Sequence, residues 1–303
     1  MSQLKTLIIG ATGQVGTQML GVLGEKALAT SRLPHEGWLV LDVAALSEQQ
    51  QVAALLDAHE LDAIYCVGGM TWVDGCETQQ ELAWRTNARG PGVLAAYACR
   101  RKLPYVFFST DYIFDGTKEN PGPYAEEARP NPLSVYGKTK LEGESRVQGA
   151  YPEALIVRTT VVYGPDPRQK NYLYSLMRSL TEGNAMQVPR DQVSTPTYNR
   201  DLVGTALGLV AAHAAGVFHV AGPELLDRLE FAQQIANTLG LDASLLHGVD
   251  TAALNQPAPR PLHCGLATGK VMALFPALRL RSLAAALDDC GAELRTFLDR
   301  PAS

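Results

Sequence analysis

Three side chains near the middle of the sequence have the types and the spacing for proton transfer to a carbonyl oxygen. Tyr136 and Lys140 are four residues apart in a stretch predicted to be helical, so they share one face of the helix. A free tyrosine has a pKa of about 10, and a nearby ammonium favours the phenolate and lowers that pKa. Thr110 follows a predicted strand, where its hydroxyl can hold the carbonyl oxygen while Tyr136 donates the proton. The pattern predicts acid–base chemistry at a ketone.

A glycine-rich turn near the N-terminus predicts where a cofactor would bind. The predicted strand 5–10 leads directly into Gly10-Ala11-Thr12-Gly13-Gln14-Val15-Gly16, and a helix follows. In such a turn the first glycine permits a sharp bend, the second lets the backbone approach a pyrophosphate, and the third lets helix and strand pack closely. The free N–H groups at the helix N-terminus then attract the phosphates. We therefore predict a dinucleotide site, in which a nicotinamide would supply the hydride for the reduction.

The end of the second predicted strand indicates which nicotinamide is bound. NAD sites usually place a carboxylate there for the ribose 2′-hydroxyl, but this strand ends Thr30-Ser31-Arg32. Ser31 and Arg32 can bind a 2′-phosphate, which favours NADP(H) and leaves NAD(H) possible. Asp42 follows the third strand and either meets the adenine or caps the next helix.

Short apolar segments alternate with helical periodicity through the first two thirds of the chain. The predicted strands are 5–10, 27–31, 38–41, 63–67, 105–109, 155–158 and 217–220. Helices are predicted over 52–59, 82–100 and 138–148, and residues 115–132 are predicted to be a loop. Repeated βα units with apolar strands predict an α/β fold with a Rossmann-type, doubly wound parallel sheet. We assign residues 1–165 plus 195–222 to this dinucleotide-binding domain and 166–194 plus 223–303 to a smaller, mainly helical substrate domain.

Composition excludes several other classes of protein. The 303 residues are 46% hydrophobic and 19% charged, as in a folded globular protein, and the net charge of −5 argues against nucleic-acid binding. Five cysteines without a CxxC pair predict reduced thiols and no metal site. The apolar segment after Leu4 is too short for a signal peptide, and 203–222 is predicted to be a buried helix followed by a strand. We expect a cytoplasmic protein with no membrane partner.

Taken together, the motifs resemble those of extended short-chain dehydrogenase/reductases, and most of all the dTDP-4-dehydrorhamnose reductase branch. The resemblance covers nearly the whole chain. The matching stretches are GATGQVG from Gly10, VDGCE from Val73, Asn87, STDYIFDG from Ser109, YGKTKLEGE from Tyr136, RTTVVYG from Arg158, Asp191-Gln192 with Pro196-Thr197, and Arg260-Pro261 ahead of Lys270.

The resemblance implies NADPH-dependent reduction of the 4-keto group of a nucleotide-linked deoxysugar by a monomer or homodimer. It implies a Thr110–Tyr136–Lys140 triad, with Asn87 helping to set the helix that carries the site. The implied substrate contacts are Val73, Asp111, Tyr112, Val161, Asp191 and Gln192. The predicted cofactor-binding residues are Gly10, Thr12, Gly13, Gln14, Val15, Gly16, Ser31, Arg32, Asp42, Val43, Cys66, Val67, Gly68, Asn87, Ser109, Tyr136 and Lys140.

The chain departs from that branch at two places. The fourth strand ends Cys66-Val67-Gly68-Gly69, where the branch usually has an Asn-Ala-Ala-like stretch, so an amide is lost. Val161 stands where the branch tends to have tryptophan beside the sugar, which leaves the exact substrate open. The other large aromatic residues nearby are expected to pack in the core: Trp72, Trp84 and Tyr163.

Two alternative functions remain. A sugar-nucleotide 4,6-dehydratase or 4-epimerase belongs to the same superfamily, but dehydratases need an Asp-Glu pair where this chain has Asp111-Tyr112. A non-catalytic NADP-binding regulator, similar to the β subunit of methionine adenosyltransferase, keeps the fold and the YxxxK motif. Tyr112 and the Asp191–Gln192 loop favour the reductase, whereas Val161 favours the regulator.

Overall fold

The computed structural model describes residues 4–299, which form thirteen strands and twelve α-helices. The strands are Lys5–Ile9 (β1), Ala27–Ser31 (β2), Leu39–Val40 (β3), Leu61–Cys66 (β4), Tyr105–Thr110 (β5), Leu155–Thr159 (β6), Val162–Tyr163 (β7), Met186–Pro189 (β8), Val193–Ser194 (β9), Thr197–Tyr198 (β10), Gly216–His219 (β11), Leu226–Asp227 (β12) and Leu246–Val249 (β13). The helices are Gln14–Leu23 (α1), Gln49–Leu56 (α2), Val73–Thr78 (α3), Gln80–Trp84 (α4), Gly90–Arg101 (α5), Val135–Ala150 (α6), Tyr172–Thr181 (α7), Asn199–Ala211 (α8), Arg228–Leu239 (α9), Gly269–Leu274 (α10), Leu283–Asp289 (α11) and Gly291–Leu298 (α12).

Seven strands form one parallel sheet in the order β11-β6-β5-β4-β1-β2-β3. The chain starts in the middle of the sheet, winds outwards through β2 and β3, and returns through β4 to wind the other way. Strand order therefore reverses between β1 and β4. In open α/β sheets, ligands bind beyond the carboxyl ends of the strands at this point.

Helices cover both faces of the sheet because alternate strand residues are apolar towards opposite sides. Leu7, Ile64 and Phe107 pack on one face with residues of α2, α5 and α6. Ile8 and Tyr65, one position away, pack on the other face with residues of α1, α8 and α10. The predicted α/β doubly wound fold is confirmed. Both ends of each predicted strand lie within two residues of the ends of an observed strand.

A second hydrophobic cluster lies outside the sheet and is built largely from α7, α9, α11 and α12. Two short strand pairs accompany these helices, β8 with β13 and β9 with β12, and the sequence analysis did not predict them. Helix α10 lies beyond Gly222, yet its Val271 packs with the sheet-side cluster. The exact division into two domains stays a prediction.

Several predicted details can be compared directly with the structure. The helix predicted over 82–100 is observed as α4 and α5 joined by a π-helical turn at Arg85–Arg89. Trp72 does not pack in the core as expected: its side chain is 64% exposed, whereas Tyr163 is buried. The stretch 203–222 forms most of α8 and then β11. Within residues 4–299 we find no helix with the length and apolar character that crossing a bilayer requires.

A buried ion pair fixes α6 to the sheet. Arg158 on β6 donates two hydrogen bonds to the Glu144 carboxylate on α6, at 3.0 and 2.7 Å. Its remaining nitrogen donates to the backbone oxygen of Glu126 at 3.1 Å and approaches His219 Nε2 at 3.4 Å. Burial lowers the pKa of His219 to about 3, so its ring stays neutral and Nε2 can accept. This network joins α6, β6, β11 and the loop before α6.

Replacing Glu144 by alanine should destabilise the protein strongly, because the Arg158 guanidinium would be left buried without a counter-charge. We expect the free energy of unfolding to fall by about 3–5 kcal/mol, measured by urea denaturation. Glu142→Ala is the matched control. It breaks an ion pair with Arg146 on the same helix whose side chains are 37% and 49% exposed, against 4% and 6% for Glu144 and Arg158. That control should cost about 0.5 kcal/mol or less. Equal losses in the two variants would contradict the structural importance of the buried pair.

Candidate functional site

The glycine-rich turn joins β1 to α1 and leaves the N-terminus of α1 open. Gly10 has φ +89°, and the Gly13 N–H donates to the Gly10 carbonyl at 3.0 Å. Gly13 is the N-cap of α1 with no side chain capping it, and the first turn has no acidic residue. A Cβ on Gly16 would lie 2.4 Å from the Gly10 oxygen. The N–H groups in the first turn of α1, after Gly13, are therefore available to an anion.

The backbone segments just after the parallel strands β1 and β4 approach each other closely at Gly10 and Gly68. A Cβ on Gly10 would lie 2.4 Å from Gly68 Cα, and both Val67 N and Gly68 N donate to the Ile9 carbonyl, at 3.0 and 2.8 Å. Cys66, the last residue of β4, is buried next to this close contact, and burial raises the pKa of its thiol. Small residues thus keep the cleft above the sheet open at the point where strand order reverses.

Other predicted cofactor-binding residues lie in the turn beside this close contact. Thr12 and Val15 are half-buried in the turn, and Val15 packs on the sheet. Gln14 uses its side chain within the protein: Nε2 donates to the Val162 carbonyl at 3.1 Å, and Oε1 accepts from Asn171 at 2.9 Å. Gln14 therefore links α1 to the segment that leads into α7.

The second and third strands end at the far side of the cleft. Arg32 is exposed, and Ser31 Oγ accepts from Leu33 N at 3.2 Å. The Asp42 carboxylate accepts from Ala44 N at 3.0 Å and so caps the short turn that contains the buried Val43. Asp42 thus caps a short 3-10 turn, and its predicted contact with the adenine stays a prediction.

The structure brings Thr110 and Tyr136 together although 25 residues separate them in the sequence. Thr110 is the last residue of β5, and Tyr136 lies in the first turn of α6. Burial raises the pKa of the Tyr136 phenol, and a hydrogen bond with Thr110 opposes that rise. Sequence reasoning expected a lowered pKa from Lys140; that expectation was wrong for this structure, because burial dominates.

Lys140 is buried one turn further along α6. Its Nζ donates to the Phe108 carbonyl and lies 3.9 Å from the centroid of the Phe107 ring. Burial lowers the pKa of Lys140 to about 8, and interactions with the Cys66 thiol and the Glu144 carboxylate oppose this. The ammonium therefore lies under the carboxyl end of β5 and retains its proton at neutral pH.

Asp111 and Tyr112 complete the polar lining beside Thr110. Thr110 Oγ1 donates to Asp111 Oδ1 at 3.2 Å and accepts from Tyr112 N at 3.2 Å. Burial raises the pKa of Asp111 to about 6, and neighbouring hydroxyls oppose the rise. The Tyr112 ring meets the Tyr136 ring edge-on with centroids 5.5 Å apart. The hydroxyl of Ser109, on the preceding residue of β5, is buried and has no hydrogen-bond partner among residues 4–299.

Asn87 lies in the π-helical turn and joins the loop after β4 to α6. Its Oδ1 accepts from Met70 N at 2.8 Å, while Nδ2 donates to the Met70 carbonyl and to Thr139 Oγ1, both at 3.1 Å. Thr139 directly precedes Lys140 in α6. The contact that the resemblance implied between Asn87 and the helix carrying the site is therefore present.

The predicted substrate residues fall into two groups. Val73, at the start of α3, packs in one small cluster with Tyr112 and Tyr136. Asp191 and Gln192 instead bind a later segment of the chain: the Asp191 carboxylate accepts from the Thr251 hydroxyl at 2.6 Å, and Gln192 Nε2 donates to Thr251 Oγ1 at 3.0 Å. Their side chains are thus engaged in intramolecular hydrogen bonds.

Val161 has an unusual backbone conformation next to the second cluster. Its φ is +41°, in the left-handed region that a β-branched residue rarely adopts. The side chain packs against the cluster of α7 and α9. Such strained residues concentrate at functional sites because the surrounding structure must hold them in place.

Sequence reasoning missed two acidic residues on α3 that position neighbouring elements. Glu77 Oε1 accepts from Val135 N at 2.8 Å and so satisfies the first turn of α6. Asp74 pairs with Arg260 at 2.9 Å and accepts from Ala258 N at 3.1 Å. Both belong to the VDGCE stretch, and their spacing of three residues on one helix was the available signal.

Comparison with known proteins assigns this arrangement to a family. The model of the family described as RmlD substrate binding domain matches residues 4–296. The chain belongs to this family. The resemblance drawn from the motifs is confirmed.

Relatives in sequence and structure agree with that assignment. A dTDP-4-dehydrorhamnose reductase of Mycobacterium tuberculosis is 32% identical over 268 residues, which cover 87% of this chain and 85% of the relative. The crystal structure of a dTDP-4-dehydrorhamnose reductase from Clostridium acetobutylicum superposes with a TM-score of 0.85 at 31% identity, covering 96% of this chain and 100% of the other. A dTDP-4-dehydrorhamnose reductase from Bacillus anthracis, in complex with NADP, has a TM-score of 0.85 at 26% identity with the same coverage.

Replacing Gly10 by alanine should disrupt the close backbone contact between Gly10 and Gly68. The new Cβ would lie 2.4 Å from Gly68 Cα, and φ +89° is unfavourable for alanine. We expect the free energy of unfolding, measured by urea denaturation, to fall by about 3 kcal/mol or more. Gly21→Ala is the control, because no atom lies within 4 Å of its Cβ position in α1. It should gain about 0.5–1 kcal/mol from helix propensity. A Gly10 variant as stable as the wild type would contradict the close contact between Gly10 and Gly68.

Proposed function

We propose that this protein is an NADPH-dependent reductase of the 4-keto group of a nucleotide-linked deoxysugar. The observation that carries the proposal is the pairing of Thr110, at the end of β5, with Tyr136 on α6. Lys140 lies one helical turn behind Tyr136, and the cleft beside them is the one kept open by Gly10 and Gly68. Family relatives named dTDP-4-dehydrorhamnose reductase support the choice of substrate class.

The cleft fits a nicotinamide dinucleotide. Gly10 and Gly16 let the backbone of the turn pack closely against the loop after β4 and against itself, and the uncapped N-terminus of α1 offers N–H groups to a pyrophosphate. The unpartnered hydroxyl of Ser109 lies at the carboxyl end of the central strand β5 and is free to bind the cofactor. When bound, the reduced nicotinamide supplies a hydride.

Preference for NADPH over NADH follows from the end of β2. Ser31 and the exposed Arg32 offer a hydroxyl and a guanidinium to a 2′-phosphate, and no carboxylate stands at this strand end. A guanidinium binds phosphate oxygens through paired hydrogen bonds, whereas a carboxylate at this position would repel them. The relative from Bacillus anthracis that was solved with NADP is consistent with this preference.

The residues of the site divide the proton chemistry among them. Thr110 and Tyr136 hydrogen-bond the ketone oxygen, and Tyr136 donates its proton as the oxygen gains negative charge. The raised pKa of Tyr136 keeps the phenol protonated until that moment. The positive charge of Lys140 then stabilises the phenolate. In the structure the Thr110 hydroxyl donates to Asp111, and it turns from Asp111 to donate to the ketone oxygen when the substrate binds.

Turnover by the wild type and by Tyr136→Phe tests this proposal. The assay follows NADPH oxidation with a dTDP-4-keto-6-deoxysugar generated in situ, and NADH is compared in parallel. Loss of the phenolic proton should lower kcat by about 10²–10⁴-fold with little change in NADPH affinity. Tyr97→Phe serves as control and should retain full turnover, since the Tyr97 hydroxyl donates to Asp57, directly after α2, at 2.9 Å.

Full activity in Tyr136→Phe would overturn the assignment of Tyr136 as the proton donor. Tight NADPH binding without turnover on any keto-sugar would overturn the reductase proposal and favour the regulatory subunit instead.

The pH dependence of turnover should report the ionisation of Lys140. Its pKa, lowered to about 8 by burial, means that the ammonium is present below pH 8 and is lost as the pH rises through that value. Because the phenolate of Tyr136 then loses its stabilising charge, kcat/KM should fall about tenfold per pH unit above pH 8. Lys140→Arg keeps its charge across this range and should lack this fall, whatever its absolute rate. A descending limb that persists in Lys140→Arg would contradict the assignment.

A further inference from the structure

Arg228 differs from the other arginines that are withdrawn from solvent. Five arginines in the described part of the chain are buried or half-buried, and four of them have a carboxylate within ion-pair distance: Arg158, Arg200, Arg260 and Arg281. Arg228 is the fifth, and within residues 4–299 its guanidinium has neither an ion-pair partner nor a side-chain hydrogen bond. A half-buried cation without an ion-pair partner loses hydration, and an anion arriving from outside the chain would replace the interactions that are lost.

A second polar group beside Arg228 also lacks a partner. The Arg228 guanidinium lies 5.0 Å from the centroid of the Tyr172 ring. Phe231, three residues further along α9, also stacks with the Tyr172 ring, with centroids 6.0 Å apart. The Tyr172 hydroxyl oxygen is buried and makes no hydrogen bond within residues 4–299. The ring contacts fix both side chains, so a guanidinium and a phenol are held together with unused donors.

The location of Arg228 directs this pair towards the proposed active site. Arg228 is the first residue of α9, and its backbone N–H donates to the Gln192 carbonyl at 3.0 Å. Burial raises the pKa of both Asp111 and Tyr112, and the charge of Arg228 is among the influences that oppose the rise in each. The guanidinium is therefore close enough to act electrostatically on two residues that adjoin Thr110.

We propose that Arg228, with Tyr172, binds the phosphate groups of the nucleotide-linked substrate and so determines specificity for a diphosphate-bearing sugar. The proposal rests on the proposed function. A planar guanidinium donates paired hydrogen bonds to phosphate oxygens, and the phenol adds a third donor. The cofactor pyrophosphate is assigned to the N-terminus of α1, whereas Arg228 and Tyr172 belong to α9 and α7 in the second hydrophobic cluster. The two sites therefore take their donors from different elements.

Calorimetric titration of the protein saturated with NADP tests this assignment, since saturation blocks the cofactor's own pyrophosphate site. The probes are dTDP and UDP, each compared with its nucleoside, thymidine or uridine. Arg228→Gln should weaken binding of the preferred diphosphate at least about tenfold and leave binding of the nucleoside unchanged. Tyr172→Phe should cause a smaller loss in the same direction. Arg295→Gln removes an exposed arginine of α12 and should bind as the wild type does.

Unchanged diphosphate affinity in Arg228→Gln would overturn the proposal, as would an equal loss for diphosphate and nucleoside. Should that variant fail to fold, Arg228→Lys keeps the charge without the paired donors. It is expected to lose part of the affinity, and wild-type affinity in both Arg228→Lys and Tyr172→Phe would also overturn the proposal.

Turnover separates this proposal from the proposed function. If keto-sugars are reduced and Arg228→Gln raises KM at least about tenfold with kcat largely retained, both stand. If keto-sugars are reduced and Arg228→Gln has the wild-type KM, the reductase stands and the phosphate assignment fails. If no keto-sugar is reduced but the diphosphate binds in an Arg228-dependent way, the phosphate site stands and the reductase fails.

Discussion

The backbone of Gly10 passes so near that of Gly68 that no side chain could stand between them, since a Cβ on Gly10 would lie 2.4 Å from Gly68 Cα. Strand order reverses here, and the loops after β1 and β4 leave the sheet in opposite directions. The cleft that results exists only while both residues stay small. The glycine turn, the open N-terminus of α1 and the proposed cofactor site all depend on this contact.

Helix α6 is fixed at several points along its length, which suits its role of carrying Tyr136. Ser134 and Glu77 satisfy the N–H groups of its first turn, and Asn87 contacts its middle through Thr139. Further along, Glu144 is tied to β6 by two short hydrogen bonds. The proposed proton donor needs a stable position relative to its substrate, and these contacts fix its helix on several sides.

The sequence predicted what depends on local patterns. Strand positions followed from apolar segments, the turn after β1 from its glycines, and the shared face of Tyr136 and Lys140 from helical spacing. Properties that depend on packing were not predictable. The pKa of Tyr136 rises because the surrounding protein buries it, and Trp72 is 64% exposed among the described residues. Likewise, Asp191 and Gln192 bind a segment about sixty residues away, which spacing alone does not reveal.

β11 is the last strand of the seven-stranded sheet to be synthesised, and its late arrival affects folding on the ribosome. β11 pairs with β6, but residues 160–215 lie between them and supply α7 and α8. A ribosome releases the chain from its N-terminus, so β6 emerges with an unpaired edge and waits until β11 follows. During that interval Arg158 on β6 lacks its neighbour His219 on β11. A charged residue on an exposed strand edge discourages pairing with other nascent chains. Until β11 arrives, the strand that carries this charged arginine is the edge of the sheet.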